Sequence, residues 1–253
     1  GHIWGPPGTG KTQTIASLAI DLAASGSRVL VVSPYNVAVD NAILRVANLA
    51  PPTMRDTIVR LGRQSAETRD AGVDVATQVE RLVGAKLLAA VATLVAAAGP
   101  GTHAPKSLRD GIGQIGGQVV RRGAQGEARR HEFEEDVRLL RELLQLAERK
   151  VATTCRVLGT TIALSRLSPS VTRRSFDHVI VDEASVLVLP EAVELMAAMA
   201  PGASITFVGD PLQLPAIVRS PTDVAQTWYG HGPFRIRRLE RPADAVGNAV
   251  FLD

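Results

Sequence analysis

The stretch Gly5-Pro6-Pro7-Gly8-Thr9-Gly10-Lys11-Thr12 fits the pattern G-x-x-x-x-G-K-[ST] at every position. Its glycines let the backbone turn tightly enough for successive N–H groups to converge on phosphates, and a following helix adds the positive end of its dipole. We expect Lys11 to reach the β- and γ-phosphates of a nucleotide and the Thr12 hydroxyl to bind Mg²⁺. The alternative is a turn rich in glycine and proline that carries a surface lysine.

The sequence on either side of this loop favours the phosphate-binding interpretation. His2-Ile3-Trp4 is typical of the end of a strand. From Gln13 to Ala24 the apolar residues recur at helical spacing, at Ile15, Leu18, Ala19 and Leu22. Strand, loop and helix in this order form the setting that a phosphate loop requires.

Beyond the loop, strand and helix patterns alternate along the chain. Apolar runs predict strands at residues 28–33, 57–61, 157–160, 179–181 and 204–208. Asn36 stands where the N-cap of a helix is expected, and Pro190 opens a predicted helix from Leu189 to Met199. The pattern predicts an α/β domain with a mainly parallel sheet and right-handed crossovers.

One segment breaks the alternation with two long helical patterns, from about Gln78 to Gly99 and from Glu127 to Val151. The second has apolar residues in a heptad seam: Phe133, Val137, Leu140, Leu144, Ala147 and Val151. We predict an antiparallel helical hairpin at residues 78–151, inserted between two parts of the α/β domain at residues 1–77 and 152–253. Its tip, a basic stretch with four glycines at 111–117, is expected to be a mobile loop. The sequence does not decide whether that tip touches nucleic acid or keeps the hairpin soluble.

The composition is that of a soluble globular protein, with 253 residues of which 45% are hydrophobic and 21% charged. No apolar run reaches the 18 or so residues of a membrane span, and no signal peptide is visible, so we expect no membrane partner. The single cysteine, Cys155, excludes an internal disulfide and a cysteine-based metal site, and it suits a reducing cytoplasm. A net charge of +3 favours a polyanionic partner only mildly, because a solvated basic surface explains it equally well.

Two carboxylates, Asp182 and Glu183, follow the apolar strand pattern at 179–181. Ligands of open parallel sheets bind at the carboxyl ends of the strands, so the pair is expected beside the phosphate loop. Asp182 would bind Mg²⁺, and Glu183 would orient the attacking water. The alternative is a helix N-terminus with acidic residues that favour its dipole.

The next strand pattern ends in Gly209-Asp210-Pro211-Leu212-Gln213. Gly-Asp-Pro alone is a common turn. Gln213 adds a neutral side chain that can hydrogen-bond both a γ-phosphate and an attacking water. We therefore expect it to take part in the same site.

Five stretches together resemble the motifs of superfamily 1 helicases, and most closely those of the Upf1-like branch. They are GPPGTGKT at 5–12, VLVVSPYNVAVDNAI at 29–43, VLGTTIALS at 157–165, VIVDEAS at 179–185 and VGDPLQLPAIV at 208–218. Their order and spacing match the family from end to end. The resemblance implies that the chain is the first RecA-like domain of such a protein, with the helical insertion as its stalk.

The resemblance also implies which residues function. ATP and Mg²⁺ would be the cofactors, with ATP on residues 5–12 and Mg²⁺ on Thr12 and Asp182. Asp182 and Glu183 would be catalytic, with Gln213 as the γ-phosphate sensor. Single-stranded DNA or RNA would be contacted through its sugar-phosphate backbone by Pro34, Asn36, Thr160 and Thr161. Two alternatives stay open, namely that Asn36 is only a helix cap and that the two threonines are only β-branched strand residues.

Some features depart from the family pattern. Val186 stands where many relatives have glutamine, and Ala216 replaces a frequent second proline. No glutamine-bearing segment for adenine precedes Gly1, and a second RecA-like domain with its arginines would follow Asp253. We therefore expect the chain to be a piece of a longer protein, nearly inactive without that second domain.

The motifs predict an ATP-dependent helicase or translocase motor domain. An ATP-gated clamp or scaffold that binds nucleic acid without unwinding it would share these motifs, so it is the main alternative. A P-loop ATPase that acts on proteins is a third possibility. The resemblance suggests 5′-to-3′ movement, whereas the residues themselves indicate neither polarity nor a preference for DNA or RNA.

Overall fold

The structure, a computed structural model, describes residues 1–97, 102–105, 107–121, 127–239 and 241–253. Its internal contacts divide the chain into two compact units. The first unit comprises residues 1–73 and 154–253, and the second comprises residues 74–153.

The first unit is built on one parallel sheet. Within the described residues its strands are β1 His2–Trp4, β2 Val29–Ser33, β3 Ile58–Arg60, β4 Val157–Thr161, β5 Phe176–Val181, β6 Met199–Gly209 and β7 Ala249–Phe251. Their order across the sheet is β3-β4-β2-β5-β6-β1-β7, and each adjacent pair is parallel. The predicted RecA-like α/β fold is therefore confirmed.

Helices connect these strands and build the second unit. They are α1 Lys11–Ala24, α2 Asn36–Leu49, α3 Pro52–Arg55, α4 Ala66–Asp70, α5 Val75–Ala97, α6 Leu108–Arg121, α7 Glu127–Thr154, α8 Ile162–Leu167, α9 Pro169–Thr172, α10 Leu189–Met196, α11 Asp223–Tyr229 and α12 Pro233–Ile236. Short 3₁₀ helices occupy Ala184–Val186 and Pro242–Asp244. None of the helices in the described part of the chain is long and apolar enough to cross a membrane.

The core of the first unit lies between β2 and the helices α1 and α2. All five residues of β2 are fully buried, as expected for a strand covered on both faces. Ile15 of α1 and Ile43 of α2 are also fully buried in this cluster. Burying each such side chain stabilises the fold by about 1.5–3 kcal/mol. This packing holds fixed the two helices that follow the predicted nucleotide-binding and nucleic-acid-binding loops.

Because the strands are parallel, their carboxyl ends meet at one edge of the sheet. The phosphate loop follows β1, Asp182 follows β5, and Asp210 follows β6, and these three strands are adjacent in the order β5-β6-β1. The segment after β2 and the end of β4, which carry the predicted nucleic-acid contacts, are neighbours in the other half of the same edge. The sheet therefore places two groups of site residues side by side.

Three details of the first unit differ from the sequence expectations. Asn36 is the first residue of α2 and not its cap, because Tyr35 occupies the cap position with an extended backbone. Helix α10 ends at Met196, since Met199 already belongs to β6. Strand β7 was not predicted, because a run of three residues carries too short a pattern.

In the second unit, the predicted loop at the hairpin tip is wrong. Residues 108–121 form the helix α6, so the described residues contain three long helices where two were expected. Leu108, Ile112 and Ile115 are buried at positions i, i+4 and i+7, and this apolar face outweighs the low helix propensity of the glycines. Helix α5 contains a break at Gly84, where φ is +76°.

The heptad seam of α7 faces inward where the structure describes it. Val137, Ala147 and Val151 are buried, and Leu140 and Leu144 are half-buried. The side chain of Phe133 and the predicted helix end at Gly99 lie outside the described residues. That residues 78–151 are an inserted antiparallel stalk stays a prediction.

Candidate nucleotide-binding site

The phosphate loop has the backbone that its glycines allow. Gly10 has φ +86° and ends the loop as the N-cap of α1, a left-handed conformation that residues with side chains rarely adopt. A Cβ atom on Gly5 would lie 2.3 Å from the Thr9 hydroxyl, so no other residue fits there without rearrangement. The loop thereby leads directly into the N-terminus of α1, whose free N–H groups attract anions.

The ammonium group of Lys11 lies back over the loop. Its Nζ donates to the carbonyl oxygens of Gly5, at 2.7 Å, and of Pro6, at 3.0 Å. The Thr9 hydroxyl donates to the same Pro6 carbonyl at 2.9 Å. An anion held by the loop would compete with these neutral acceptors for the Lys11 protons, and charge-assisted hydrogen bonds are the stronger ones.

A cavity of about 420 Å³ brings the predicted site together. Its lining consists of Pro7, Gly8, Gly10, Lys11, Thr12, Glu183 and Gln213. Residues from the phosphate loop and from the segments after β5 and β6 therefore share one open space. This arrangement has the size and the polar groups expected of a nucleotide site.

Asp182 is not part of this lining, although it precedes Glu183 directly, and it is only 5% exposed. Burial raises the pKa of its carboxyl to about 6, because the charged form loses water. The backbone N–H of Glu183 donates to Asp182 Oδ1 at 2.9 Å and opposes the rise, as does the charge of Lys11, while the charge of Glu183 adds to it. A cation bound beside this carboxylate would offset the cost of keeping it charged in a buried position.

Glu183 adopts a left-handed backbone conformation with φ 54° and ψ 38°. For a residue with a Cβ this costs about 1–2 kcal/mol. The strained turn lies between the end of β5 and the 3₁₀ helix Ala184–Val186, and it leaves Glu183 in the cavity lining. Sequence reasoning located Glu183 but could not predict the strain, because glutamate carries no signal for φ > 0.

Gln213 is exposed at the cavity, and its amide is held by Asp210. Its Nε2 donates to Asp210 Oδ2 at 3.4 Å, and its backbone N–H donates to the Asp210 carbonyl at 3.0 Å. The same Asp210 carboxylate accepts from the indole N–H of Trp4 at 3.1 Å. Sequence reasoning assigned no role to Asp210 or Trp4, although a tryptophan at the end of a central strand requires a partner for its N–H.

The donor set fits Mg²⁺ chemically. The Thr12 hydroxyl and the Asp182 carboxyl are hard oxygen donors, which Mg²⁺ prefers. Among the described residues, no group of three or more His, Cys, Asp or Glu side chains could hold a metal ion. One or two protein oxygens together with phosphate oxygens and water are the usual Mg²⁺ environment beside a nucleotide.

Two of the predicted nucleic-acid contacts, Asn36 and Thr160, belong to one hydrogen-bond network around Arg60, and the four contacts differ in how exposed their polar groups are. The Asn36 side chain is exposed, and its Oδ1 accepts from Arg60 Nη2 at 3.0 Å. Thr160 is fully buried, and its hydroxyl donates to the Leu61 carbonyl at 3.1 Å. The Thr161 hydroxyl accepts from the Leu164 N–H and caps α8.

The neighbouring Pro34 is half-buried and has no side-chain donor. Of the four predicted contacts, Asn36 is thus the one with an exposed polar side chain. Because phosphate oxygens only accept hydrogen bonds, the others could contact a phosphate only through donors that the fold leaves unused.

Arg60 organises this half of the edge and was missed by sequence reasoning. It is fully buried, and its Nε donates to Asp40 Oδ1 at 2.7 Å. Asp40 Oδ2 accepts from the Ser65 N–H at 2.7 Å, so the pair joins α2 to the loop after β3. Burial lowers the pKa of Arg60, and its hydrogen bond to Asp40 opposes the change. The available signal was an arginine within an apolar strand, which requires a buried partner.

With this geometry in place, comparison with known proteins decides the family. The model of the AAA domain family matches residues 1–221. The chain belongs to this family. The matched region contains the phosphate loop, Asp182, Glu183 and Gln213, so the AAA domain assignment covers the whole candidate site.

Relatives agree with this assignment at modest identity. The chain is 29% identical over 190 residues to the DNA-binding protein SMUBP-2 of Mesocricetus auratus, covering 72% of this chain and 17% of that protein. It is 28% identical over 218 residues to the DNA replication ATP-dependent helicase/nuclease DNA2 of Saccharomyces cerevisiae, covering 86% of this chain and 10% of that protein. It is 27% identical over 218 residues to the regulator of nonsense transcripts 1 homolog of Neurospora crassa, covering 85% of this chain and 17% of that protein.

These relatives confirm the resemblance to superfamily 1 helicases that the five motifs predicted. The chain spans only 10–17% of the lengths of these relatives.

Proposed function

We propose that this AAA domain binds and hydrolyses ATP with Mg²⁺ as the first motor domain of a cytoplasmic helicase or translocase that moves along single-stranded DNA or RNA. The observation that carries the proposal is the shared cavity, in which the phosphate loop, Glu183 and Gln213 meet. A yeast relative is named an ATP-dependent helicase/nuclease, which supports the same class of activity.

The residues of the cavity would divide the work. Lys11 exchanges its carbonyl partners for the β- and γ-phosphates, while the N-terminus of α1 holds the phosphate charge. Thr12 and Asp182 would hold Mg²⁺, which neutralises charge on the phosphates when bound. Glu183 orients the attacking water and accepts its proton, and Gln213 contacts the γ-phosphate side of the site.

The other half of the sheet edge would hold the strand. Asn36 offers a side-chain donor to a phosphate, and the partly exposed Pro34 and Thr161 border the same surface, whereas Thr160 is fully buried and would reach the strand only after a rearrangement. Contacts of this kind depend on the sugar-phosphate backbone and not on the base sequence. Strand affinity should therefore fall with salt, with a slope near −0.7 per phosphate contact.

A second RecA-like domain would complete the motor by closing over ATP. Its arginines would stabilise the charge of the transition state, and such arginines contribute about 10³ to 10⁵ in rate in related phosphoryl transfers. Closure with ATP and opening after hydrolysis would then shift the strand, as a population change between two states.

The test is steady-state ATP hydrolysis by the full-length protein, with and without single-stranded DNA or RNA. Glu183→Gln is the blank, because it keeps the size of the side chain and removes the base. We expect strong stimulation by one of the two polymers and almost no turnover in the variant. Equal hydrolysis with and without polymer would overturn the motor assignment in favour of an ATPase that acts on proteins. Intact ATP binding without hydrolysis would instead favour an ATP-gated clamp.

A further inference from the structure

Trp4 is the last residue of β1 and is 1% exposed. Its indole Nε1 donates to Asp210 Oδ1 at 3.1 Å, across 206 residues of sequence. Its ring packs edge-on against Phe251 with a centroid distance of 5.3 Å. The ring contact would be available to a phenylalanine, so the hydrogen bond is the property that requires tryptophan.

Asp210 is the common acceptor of a small network and is 4% exposed. Within the described part of the chain, its carboxylate accepts from Trp4 Nε1 and the Leu212 N–H on Oδ1, and from Gln213 Nε2 on Oδ2. The two bonds on Oδ1 are both 3.1 Å, whereas the bond from Gln213 is 3.4 Å. Trp4 and the turn therefore fix the carboxylate, and Gln213 is held by it more weakly.

This geometry determines how Gln213 faces the cavity. A carboxylate only accepts hydrogen bonds, so the amide must present its NH₂ group to Asp210 and leave Oε1 free. A γ-phosphate is also an acceptor and would compete with Asp210 for the same NH₂ group. The amide thus has two alternative partners, one of which is present only when ATP is bound.

Trp4 also joins this network to the phosphate loop. It precedes Gly5 directly, and the Gly5 N–H donates to the Gly209 carbonyl at 3.1 Å, one residue before Asp210. In the register of β1 and β6, Trp4 lies opposite Gly209. A displacement at the start of the phosphate loop would therefore be transmitted to Asp210 through two hydrogen bonds.

We propose that Trp4 and Asp210 are positioning residues for Gln213, which they hold ready to exchange Asp210 for the γ-phosphate. The inference rests on the proposed function, since it assigns a support to the γ-phosphate sensor of the ATP site. Without the indole N–H, the carboxylate loses one of its fixed donors and Gln213 loses its defined starting position. Discrimination between ATP and ADP should suffer, while affinity for ADP should not.

The test compares Trp4→Phe with Trp228→Phe, the same substitution at a half-exposed tryptophan of α11. Calorimetry with Mg²⁺ gives the affinity of each variant of the chain for AMP-PNP and for ADP. We expect the ratio of the two affinities to fall about fivefold in Trp4→Phe, which is less than the full worth of a hydrogen bond to a charged group, because Trp4 acts on Gln213 only through Asp210. It should be unchanged in Trp228→Phe. Gln213→Ala gives the fall in this affinity ratio when the sensor side chain is lost completely. The double variant Trp4→Phe/Gln213→Ala should show the same ratio as Gln213→Ala alone.

A second readout follows the indole N–H of Trp4 itself by ¹⁵N NMR, with the resonance assigned by elimination from Trp228→Phe, since the chain has two tryptophans. We expect this proton to exchange slowly with solvent, and its resonance to shift with AMP-PNP and not with ADP. A merely structural tryptophan would respond to both nucleotides alike. The readout uses the unaltered chain, so it decides even where Trp4→Phe impairs folding.

The outcomes separate the inference from the proposed function. If Gln213→Ala lowers the affinity ratio and Trp4→Phe does not, or the Trp4 resonance ignores the γ-phosphate, the inference is wrong and the ATP site stands. If the chain binds neither nucleotide, or if Gln213→Ala leaves the ratio intact, the proposed sensor fails and the inference fails with it.

Discussion

The two halves of the sheet edge treat their polar side chains in opposite ways. After β1, β5 and β6, the side chains of Lys11, Glu183 and Gln213 line an open cavity. In the half formed by β2, β3 and β4, the Asn36 side chain is hydrogen-bonded to Arg60, and the Thr160 side chain is hydrogen-bonded to the Leu61 carbonyl. The first half is arranged for a ligand, whereas the second is largely satisfied by the protein itself.

The nucleotide half carries the energetic cost of this difference. Asp182 is buried with a raised pKa, and Glu183 has a strained backbone. In the other half, the buried pair of Arg60 and Asp40 is surrounded by hydrogen-bond partners, as a buried charge requires. A site that is to bind a charged ligand keeps desolvated and strained groups that the ligand can compensate, while a surface that only touches a phosphate backbone does not need to.

The largest expected effect concerns the nucleotide half. Lys11→Ala should lower ATP affinity by at least about thirtyfold, since truncating one partner of a desolvated charge pair costs about 2–5 kcal/mol. Isothermal titration with Mg-ATP measures it. Lys150→Ala, which removes an exposed lysine of α7, is the control and should leave affinity unchanged. Tight Mg-ATP binding by Lys11→Ala would remove the contrast between the two halves.

The second prediction tests the cost of keeping Asp182 buried. Its pKa rises from 3.8 in the unfolded chain to about 6 in the folded protein, so the folded state binds its proton more tightly. The free energy of unfolding therefore falls as pH rises from about 4 to 6, by up to about 3 kcal/mol for about two pKa units. Asp182→Asn removes this loss, and it should raise Tm at pH 7 and leave it unchanged below pH 4 in the absence of Mg²⁺ and nucleotide.

Asp177 provides a control of the opposite sign on the same strand. The hydrogen bonds from Arg28 lower the pKa of this half-buried carboxyl, so its stabilisation is present above its unfolded pKa and is lost as pH falls. Asp177→Asn should lower Tm slightly at pH 7 and not at pH 3. If Asp182→Asn changed Tm equally at pH 4 and pH 7, this would contradict the proposal that the charged form of the buried Asp182 destabilises the fold.

The sequence predicted what local chemistry determines. The phosphate loop followed from its glycines and Lys11, and Asp182 and Glu183 from their place after an apolar strand. The contact of Trp4 with Asp210 was out of reach, because it joins residues that are 206 positions apart. The burial of Arg60 likewise depends on α2 and the loop after β3 closing around it.

The prediction of a loop where helix α6 forms was wrong for another reason. Its glycines indicated a loop, and glycine does lower helix propensity. The buried face formed by Leu108, Ile112 and Ile115 was present in the sequence at helical spacing. Tertiary packing of that face decides the outcome, and propensity alone could not weigh it.

The smallest expected effect separates the predicted strand contacts from one another. Asn36→Ala removes an exposed donor and should weaken binding of single-stranded DNA or RNA by about fivefold, the range of one hydrogen bond. Thr160→Val keeps the shape of a fully buried side chain and loses only its bond to Leu61, so it should lower stability and leave strand affinity unchanged. Fluorescence anisotropy at two salt concentrations measures both variants. Equal weakening by the two would mean that Thr160 reaches the strand after a rearrangement, and the second half of the edge would then be as open to its ligand as the first.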